Sequence, residues 1–186
     1  MFQRKSILTA VLSIIVCLSF SGCRFDYEET IMAEDLAEEV PQTILKNFTQ
    51  VMVKDSVPAF YIEAEESSTF DKKKETLFKS VLFMEYDENG NVVTEGRADN
   101  AKMFNETESV ELRGSLSFNS KREESSLNGE YLFWDNENST LTGRDDDEIR
   151  IVNNDGSEIS GKGFYANSKT KTIRFSSDVS GSMINE

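Results

Sequence analysis

The residue whose type and setting imply chemistry most directly is Cys23. Its thiol follows Ser21 and Gly22, and small side chains there leave room for enzymes that lipidate a cysteine and cleave the chain just before it. Other chemistry is thin. The 186-residue chain has no histidine, which removes imidazole acid–base work, Ser-His-Asp and Cys-His nucleophilic pairs, and imidazole metal sites. Cys17, the other of two cysteines, precedes Cys23 inside an apolar run, so the mature part can form neither an internal disulfide nor a thiolate cluster. Acids are plentiful, 34 Asp and Glu, but periodicity singles out no two of them as the facing pair a glycoside hydrolase needs. Asp145-Asp146-Asp147-Glu148 lacks the alternate-ligand spacing and turn glycine of a calcium loop and reads as a solvated loop. Asn47-Phe48-Thr49, Asn105-Glu106-Thr107 and Asn138-Ser139-Thr140 match glycosylation sequons, which carry no weight behind a bacterial export signal. These residues predict no catalytic apparatus, no metal and no cofactor.

The segment that would position Cys23 reads as an export signal. Arg4 and Lys5 supply a positive start, and Ser6 to Phe20 is an apolar run of roughly 15 residues, short of the ~20 that span a bilayer. Ser21-Gly22-Cys23 then resembles a bacterial lipobox, with Phe20 where leucine is usual. Residues 1–22 are thus expected to be a lipoprotein signal peptide, and 23–42 a lipidated Cys23 with an acidic tether. An uncleaved membrane anchor and a free thiol on a cleaved protein are the competing readings. Two or three acyl chains, at ~0.8 kcal/mol per buried CH₂, would hold the protein stably on a membrane where one would not. The chain has a net charge of −14, and loss of the leader takes two basic residues and no acid, leaving 18 basic against 34 acidic. Such a protein is repelled by nucleic acid, whose binding rests on Lys and Arg.

Residues 43–186 read as one all-β domain. Phe60, Ile62 and Ala64 alternate with Tyr61 and Glu63, and Leu112, Leu116 and Phe118 with Arg113, Ser115 and Ser117. Ile149 and Ile151 flank Arg150, and Ile173 and Phe175 flank Arg174. Period two is what a half-buried strand requires. The runs Val81-Leu82-Phe83-Met84 and Tyr131-Leu132-Phe133-Trp134 are apolar at every position and are expected to be buried on both faces. Asn89-Gly90 and Asp155-Gly156 predict type I′ hairpins, and Pro41 and Pro58 precede the first long strands. Gly96, Gly114, Gly129, Gly143, Gly161 and Gly181 recur every 14 to 20 residues. That spacing fits stacked hairpin units or the ordinary turn glycines of a sandwich, and both readings stand.

In this order and spacing, several segments resemble the LptC family, relatives of LptA and the OstA-like domains. They are Ala59-Phe-Tyr-Ile-Glu-Ala-Glu65, Phe83-Met-Glu-Tyr-Asp-Glu-Asn-Gly90, Thr94-Glu-Gly-Arg-Ala-Asp-Asn-Ala101 and Val110-Glu-Leu-Arg-Gly-Ser-Leu116. Glu130-Tyr-Leu-Phe-Trp-Asp135, Asp155-Gly-Ser-Glu-Ile-Ser-Gly-Lys-Gly-Phe164 and Val179-Ser-Gly181 complete the set. Familiar members keep an uncleaved membrane helix where this chain carries a lipobox. The resemblance implies a single antiparallel β-jellyroll, a folded-over sheet with an apolar interior slot, on the periplasmic side of a bacterial membrane, the inner one by preference. It implies that a lipopolysaccharide-like glycolipid is received from an inner-membrane ATP-binding-cassette (ABC) transporter. The lipid would pass along a bridge of LptA/OstA-like jellyrolls joined by edge-strand addition. Shielding an acyl chain of a dozen carbons is worth up to ~10 kcal/mol, which only an apolar slot supplies. Its candidate lining is Phe60, Ile62, Phe83, Leu112, Leu116, Phe118, Tyr131, Phe133, Ile149, Ile151, Phe164, Ile173 and Phe175, each of which could equally be core. Gly161 and Gly163 are candidates for close backbone approach near a C-terminal edge, and Val179 to Ile184 for the exposed last strand. The alternative is a structural or surface-exposed β-rich lipoprotein serving adhesion or envelope integrity.

Overall fold

The computed structural model describes residues 38–184, so the leader, Cys23 and most of the acidic tether lie outside the described residues. Six long strands follow one another as an antiparallel meander: β1 (Thr43–Lys54), β2 (Val57–Phe70), β3 (Glu75–Tyr86), β4 (Val92–Phe104), β5 (Ser109–Ser120) and β6 (Ser125–Asp135). Six short ones complete the sheet: β7 (Thr140–Thr142), β8 (Glu148–Asn153), β9 (Glu158–Lys162), β10 (Tyr165–Asn167), β11 (Thr172–Arg174) and β12 (Ser177–Ser182). The sheet forks at β6. Its first half, Ser125 to Asn128, pairs with β8, which leads to β9 and β12. Its second half, Phe133 to Asp135, pairs with β7, which leads to β10 and β11. Every pairing is antiparallel, the all-β architecture expected from the alternation and the jellyroll type that the resemblance implies.

The hairpin chemistry differs from expectation. Gly90 and Gly156 have positive φ but Asn89 and Asp155 do not, so neither pair forms a type I′ turn. Gly90 N–H instead donates to Asp87 O and Gly156 N–H to Asn153 O, closing type I turns that end in a left-handed glycine. The two-residue turn with both φ positive is Asp55-Ser56, between the paired Lys54 and Val57. The recurrent glycines are not turn residues either. Gly96, Gly114, Gly129, Gly161 and Gly181 lie inside strands, and Phe118, Ile149 and Phe175 cross the backbone where a methyl group would sit at Gly96, Gly129 and Gly161. Pro58 falls within β2 rather than ahead of it, beside a register irregularity at Met52/Val53.

A crease crosses the long strands. Buried or core-facing positions step by three rather than two at Ala64/Ser67, Phe78/Val81, Ala98/Ala101 and Gly129/Leu132. The break falls at the same cross-sheet level in each, and on β5 it is spanned by Leu112 to Leu116 with one extra residue. Asn47, Ser80 and Gly114 take positive φ there (49°, 52° and 84°). Irregularities of this kind bend a strand, and aligned across six they fold the sheet over. At Gly114 a side chain would overlap the Asp99 carboxylate. That carboxylate accepts hydrogen bonds from Ser115 N–H (2.9 Å) and Ser115 Oγ (3.1 Å), tying β5 to β4 across the crease.

The core is small and lies in two joined parts. Ala98, Leu116, Leu132, Ile149 and Phe164 form one, filling the wedge where the sheet forks; Ala64, Phe78 and Ala101 form the other, and Leu112 packs against both. Leu132 and Ile149 are the large side chains buried completely among the described residues.

Candidate lipid-binding surface and sheet edges

Residues opposite one another in an antiparallel ladder share a face, so register assigns the inner wall row by row. One row runs Ile62, Phe83, Gly96, Phe118, Leu127, Ile151 and Ile159. Phe60 precedes Ile62 on the same face, and its ring stacks on Phe83 at 5.7 Å. Leu112, Leu116, Phe118, Ile149, Ile151, Phe164 and Phe175 all belong to the larger core cluster. Phe60, Ile62 and Phe83 are half-buried and belong to neither cluster. Ile173 pairs with Ala166 at the far margin of the same face and is 58% exposed. The inner wall is therefore packed from β5 onward and, on β2 to β4, around Ala64, Phe78 and Ala101, and it is open at Phe60, Ile62 and Phe83 on β2 and β3.

Two members of the expected lining are displaced. Leu132 is 0% exposed in the core, so its neighbours Tyr131 and Phe133 project from the opposite face. Phe133 meets Phe104 edge-on at 6.2 Å, and Arg144 lies 3.9 Å over the Tyr131 ring. The run Tyr131 to Trp134 is apolar at every position, so composition alone could not say which parity faces inward. Nor are this run and Val81 to Met84 buried on both faces: of the eight residues only Leu132 is buried, the others being half-buried. Leu127, Leu132 and Leu141 are inner-face residues absent from the sequence-based set. Cross-strand register, invisible in a single segment, was the signal needed.

The outer face mixes apolar side chains, among them Leu82, Met84, Phe104 and Phe133, with ion pairs. Arg113 donates to Glu111 at 2.6 Å, Lys79 pairs with Glu66 at 2.8 Å, and Arg150 pairs with Glu158. Burial pushes the Glu111 carboxyl up, but hydrogen bonds from Arg113 and Tyr131 and the charge of Lys102 outweigh it and leave the group below its ordinary range. Burial and the Glu111 carboxylate together raise the Tyr131 phenol. A shallow groove of about 290 Å³ between β4 and β5, lined by Glu95, Arg97, Ser117 and Asn119 among others, also lies on this side. In the acidic run, Asp145 and Asp146 are exposed, and one Asp147 oxygen is buried 3.8 Å from Arg144 without a hydrogen bond. Among the described residues no cluster of His, Cys, Asp and Glu is placed to hold a metal ion, and no helix is long and apolar enough to cross a membrane.

The open part of the inner wall ends in a polar rim. Glu85 faces Phe60 across the β2–β3 ladder and Thr94 across the β3–β4 ladder. Thr94 Oγ1 donates to Glu85 at 2.9 Å, and Arg122 from the β5–β6 loop reaches the other carboxylate oxygen at 3.1 Å.

The forked sheet ends in three strands, β1, β11 and β12, each paired on one side only. β1 is paired only with β2 and exposed at every position but Phe48, with Ile44, Leu45, Val51, Met52 and Val53 among its exposed side chains. At the end of one branch β12 is exposed throughout and pairs only with β9. Val179 lies in it, and Ile184 N–H beyond it donates to Ser157 Oγ at 3.1 Å. Gly161 passes beneath Phe175, and Gly163 (φ 62°) has Ser176 against it, so both are close-approach positions near this edge.

A folded-over antiparallel sheet with an apolar inner wall and free edges agrees with what the whole chain matches. Residues 8–184 match the LptC family, described as lipopolysaccharide-assembly, LptC-related. This chain belongs to the LptC family. As an LptC-related protein it is a periplasmic component of lipopolysaccharide transport, and the alternative of an adhesive or structural surface lipoprotein is not favoured. No curated protein matches it. Among solved structures it is similar to LptH of Pseudomonas aeruginosa, described as the LptA-homologous periplasmic component of the conserved lipopolysaccharide transport device. That likeness has 7% identity over 80% of this chain and 99% of the other, with a TM-score of 0.32, and carries no argument.

Proposed function

We propose that this LptC-related protein takes lipopolysaccharide, or a related glycolipid, from an inner-membrane ABC transporter and passes it along a bridge of like jellyrolls toward the outer membrane. The observation that carries this is the open stretch of inner wall at Phe60 and Ile62 on β2 and Phe83 on β3. Phe60, Ile62 and Phe83 present apolar surface on the inner side of the fold yet pack into neither core cluster. An acyl chain laid on them gains ~0.8 kcal/mol per CH₂ removed from water, with no chemistry required. The other apolar inner residues, Leu112 to Phe175, form the floor and wedge that hold the wall in shape.

Partners join at the edges in this reading. β1 and β12 offer unpaired N–H and C=O groups to another jellyroll, and the exposed apolar side chains of β1 add contact area. Cys23, carrying a lipid anchor after removal of residues 1–22, holds the domain to the periplasmic face of the inner membrane through the tether 23–42. The protein turns nothing over. Site-specific photo-cross-linking in cells tests the assignment: a cross-linker at Ile62 or Phe83 should capture lipopolysaccharide, and one at Phe133 on the opposite face should not. Equal capture from both faces, or capture from Phe133 alone, overturns it.

A further inference from the structure

The geometry points to Arg122 as a binding site for the phosphorylated headgroup of the carried lipid, with Glu85 as its positioning residue; this deepens the proposed lipid-binding function and rests on it. An ion pair is out of place on an otherwise apolar wall. Glu85 is two residues from Phe83 on the same face, so at ~3.3 Å per residue it lies roughly 7 Å along β3 from Phe83, level with its cross-strand partner Phe60. An acyl chain lying on Phe60 and Phe83 would bring its polar end to this rim.

The loop that carries Arg122 is held in place. Lys121 N–H donates to Val93 O at 2.8 Å, and Glu123 N–H donates to Ser120 Oγ at 3.2 Å. Arg122 then crosses β4 to reach Glu85, whose other oxygen is held by Thr94. Among the described residues that single contact is the guanidinium's one hydrogen bond, so most of its five N–H donors remain available, and its side chain is 55% exposed. A guanidinium gripped at one corner by a fixed carboxylate presents the rest of its fork to solvent, the geometry that phosphate takes in bidentate fashion. Because charges beyond about 8 Å are largely screened, the cation at this rim, more than the net charge of the chain, decides whether an anion can bind there.

The test uses the full-length chain in detergent and competition binding against a fluorescent lipopolysaccharide, with diphosphoryl lipid A and its dephosphorylated form as competitors. Arg122→Gln should weaken diphosphoryl lipid A by roughly tenfold to a hundredfold, the loss of a charge-assisted contact, and leave the dephosphorylated lipid within about twofold. Arg122→Lys should restore part of the loss. Glu85→Gln should fall between wild type and Arg122→Gln for diphosphoryl lipid A alone. An Arg122→Gln change that is equal for both lipids, or absent, overturns the headgroup site while the proposed function stands. Failure of the wild-type chain to bind either lipid overturns both.

Discussion

Truncating Phe83 to alanine separates a lipid-facing wall from a core, because the two assign its ring different work. In a packed core Phe→Ala costs about 3–5 kcal/mol. Phe83 is half-buried, lies outside both core clusters, and faces Ile62 on one side and Gly96, which the Phe118 ring covers, on the other. Its one ring partner is Phe60 at 5.7 Å, a contact worth about 0.5–1.5 kcal/mol. With partial burial added, the expected cost of Phe83→Ala is about 1–2 kcal/mol. Leu132→Ala, at a 0% exposed site in the fork, should cost about 3–5 kcal/mol, the upper part of the range for core leucines. Urea unfolding of the full-length chain, followed by the emission of its single tryptophan, Trp134, measures both. Diphosphoryl lipid A at a hundred times its Kd should then raise wild-type stability by about 2.7 kcal/mol and that of Phe83→Ala by much less. If Phe83→Ala destabilises as much as Leu132→Ala and keeps the full increment from lipid, the ring is core and the assignment of the open wall is refuted.

Gly114→Ala should lower stability by about 2 kcal/mol or more, since it meets both a left-handed backbone and the Asp99 carboxylate. Asp99→Ala, which removes two hydrogen bonds to Ser115, should cost about 1–3 kcal/mol by the same urea assay. Acid should weaken the fold in one direction only. Hydrogen bonds from Lys79 hold Glu66 below its ordinary 4.5, those from Asn91 lower Asp87, and those from Asn138 lower Asp135, while Glu111 is lowered by Arg113 and Tyr131 against its burial. Each of these contributes stability above the ordinary carboxylate range that is lost as pH falls through its depressed value. The urea midpoint should fall steadily below about pH 4.5 and, with no histidine to titrate, stay flat between about pH 5 and 8; a step near pH 6.5 would contradict this. Paired Val51→Lys and Val53→Lys substitutions on the exposed edge strand should leave stability within about 0.5 kcal/mol but abolish cross-linking to a partner jellyroll at β1; unchanged cross-linking would remove that edge from the bridge.

How far the fold was legible depended on how far its determinants were local. Alternation around Phe60–Ala64, Leu112–Phe118 and Ile149–Ile151 exposed the strands because one wet and one dry face write period two directly into the chain. Where a run is apolar at both parities, as at Tyr131–Trp134, parity is set by the neighbouring strand, and Tyr131 and Phe133 were placed on the wrong face. The crease was hidden for a different reason. Its left-handed positions at Asn47 and Ser80 carry ordinary polar residues, and the three-residue step it inserts shows only when six strands are aligned. β1 was missed as an edge because its sequence, Thr43 to Lys54, has apolar residues like those of an interior strand. The Arg122–Glu85 pair joins residues 37 apart and had no local signature.

In the proposed function, thin packing and lipid carriage have one physical origin. Folding a sheet along a crease creates two inner walls, and a protein that filled the gap with its own side chains would be more stable and useless as a carrier. Here the gap is filled where the sheet forks, by Leu132, Ile149, Phe164 and their neighbours, and along β2 to β4 by Ala64, Phe78 and Ala101. At Phe60, Ile62 and Phe83 the wall is left half-exposed, and in this reading the energy of burying it is realised only when an apolar guest arrives. Stability and cargo are then linked: the loaded domain is the more stable one by RT ln(1 + [L]/Kd), and release to the next jellyroll must offset that term. A bridge of such domains can run only if successive affinities are matched within a few kcal/mol. If β1 and β12 join such a bridge as proposed, interface geometry there, more than the apolar wall itself, is where direction is imposed.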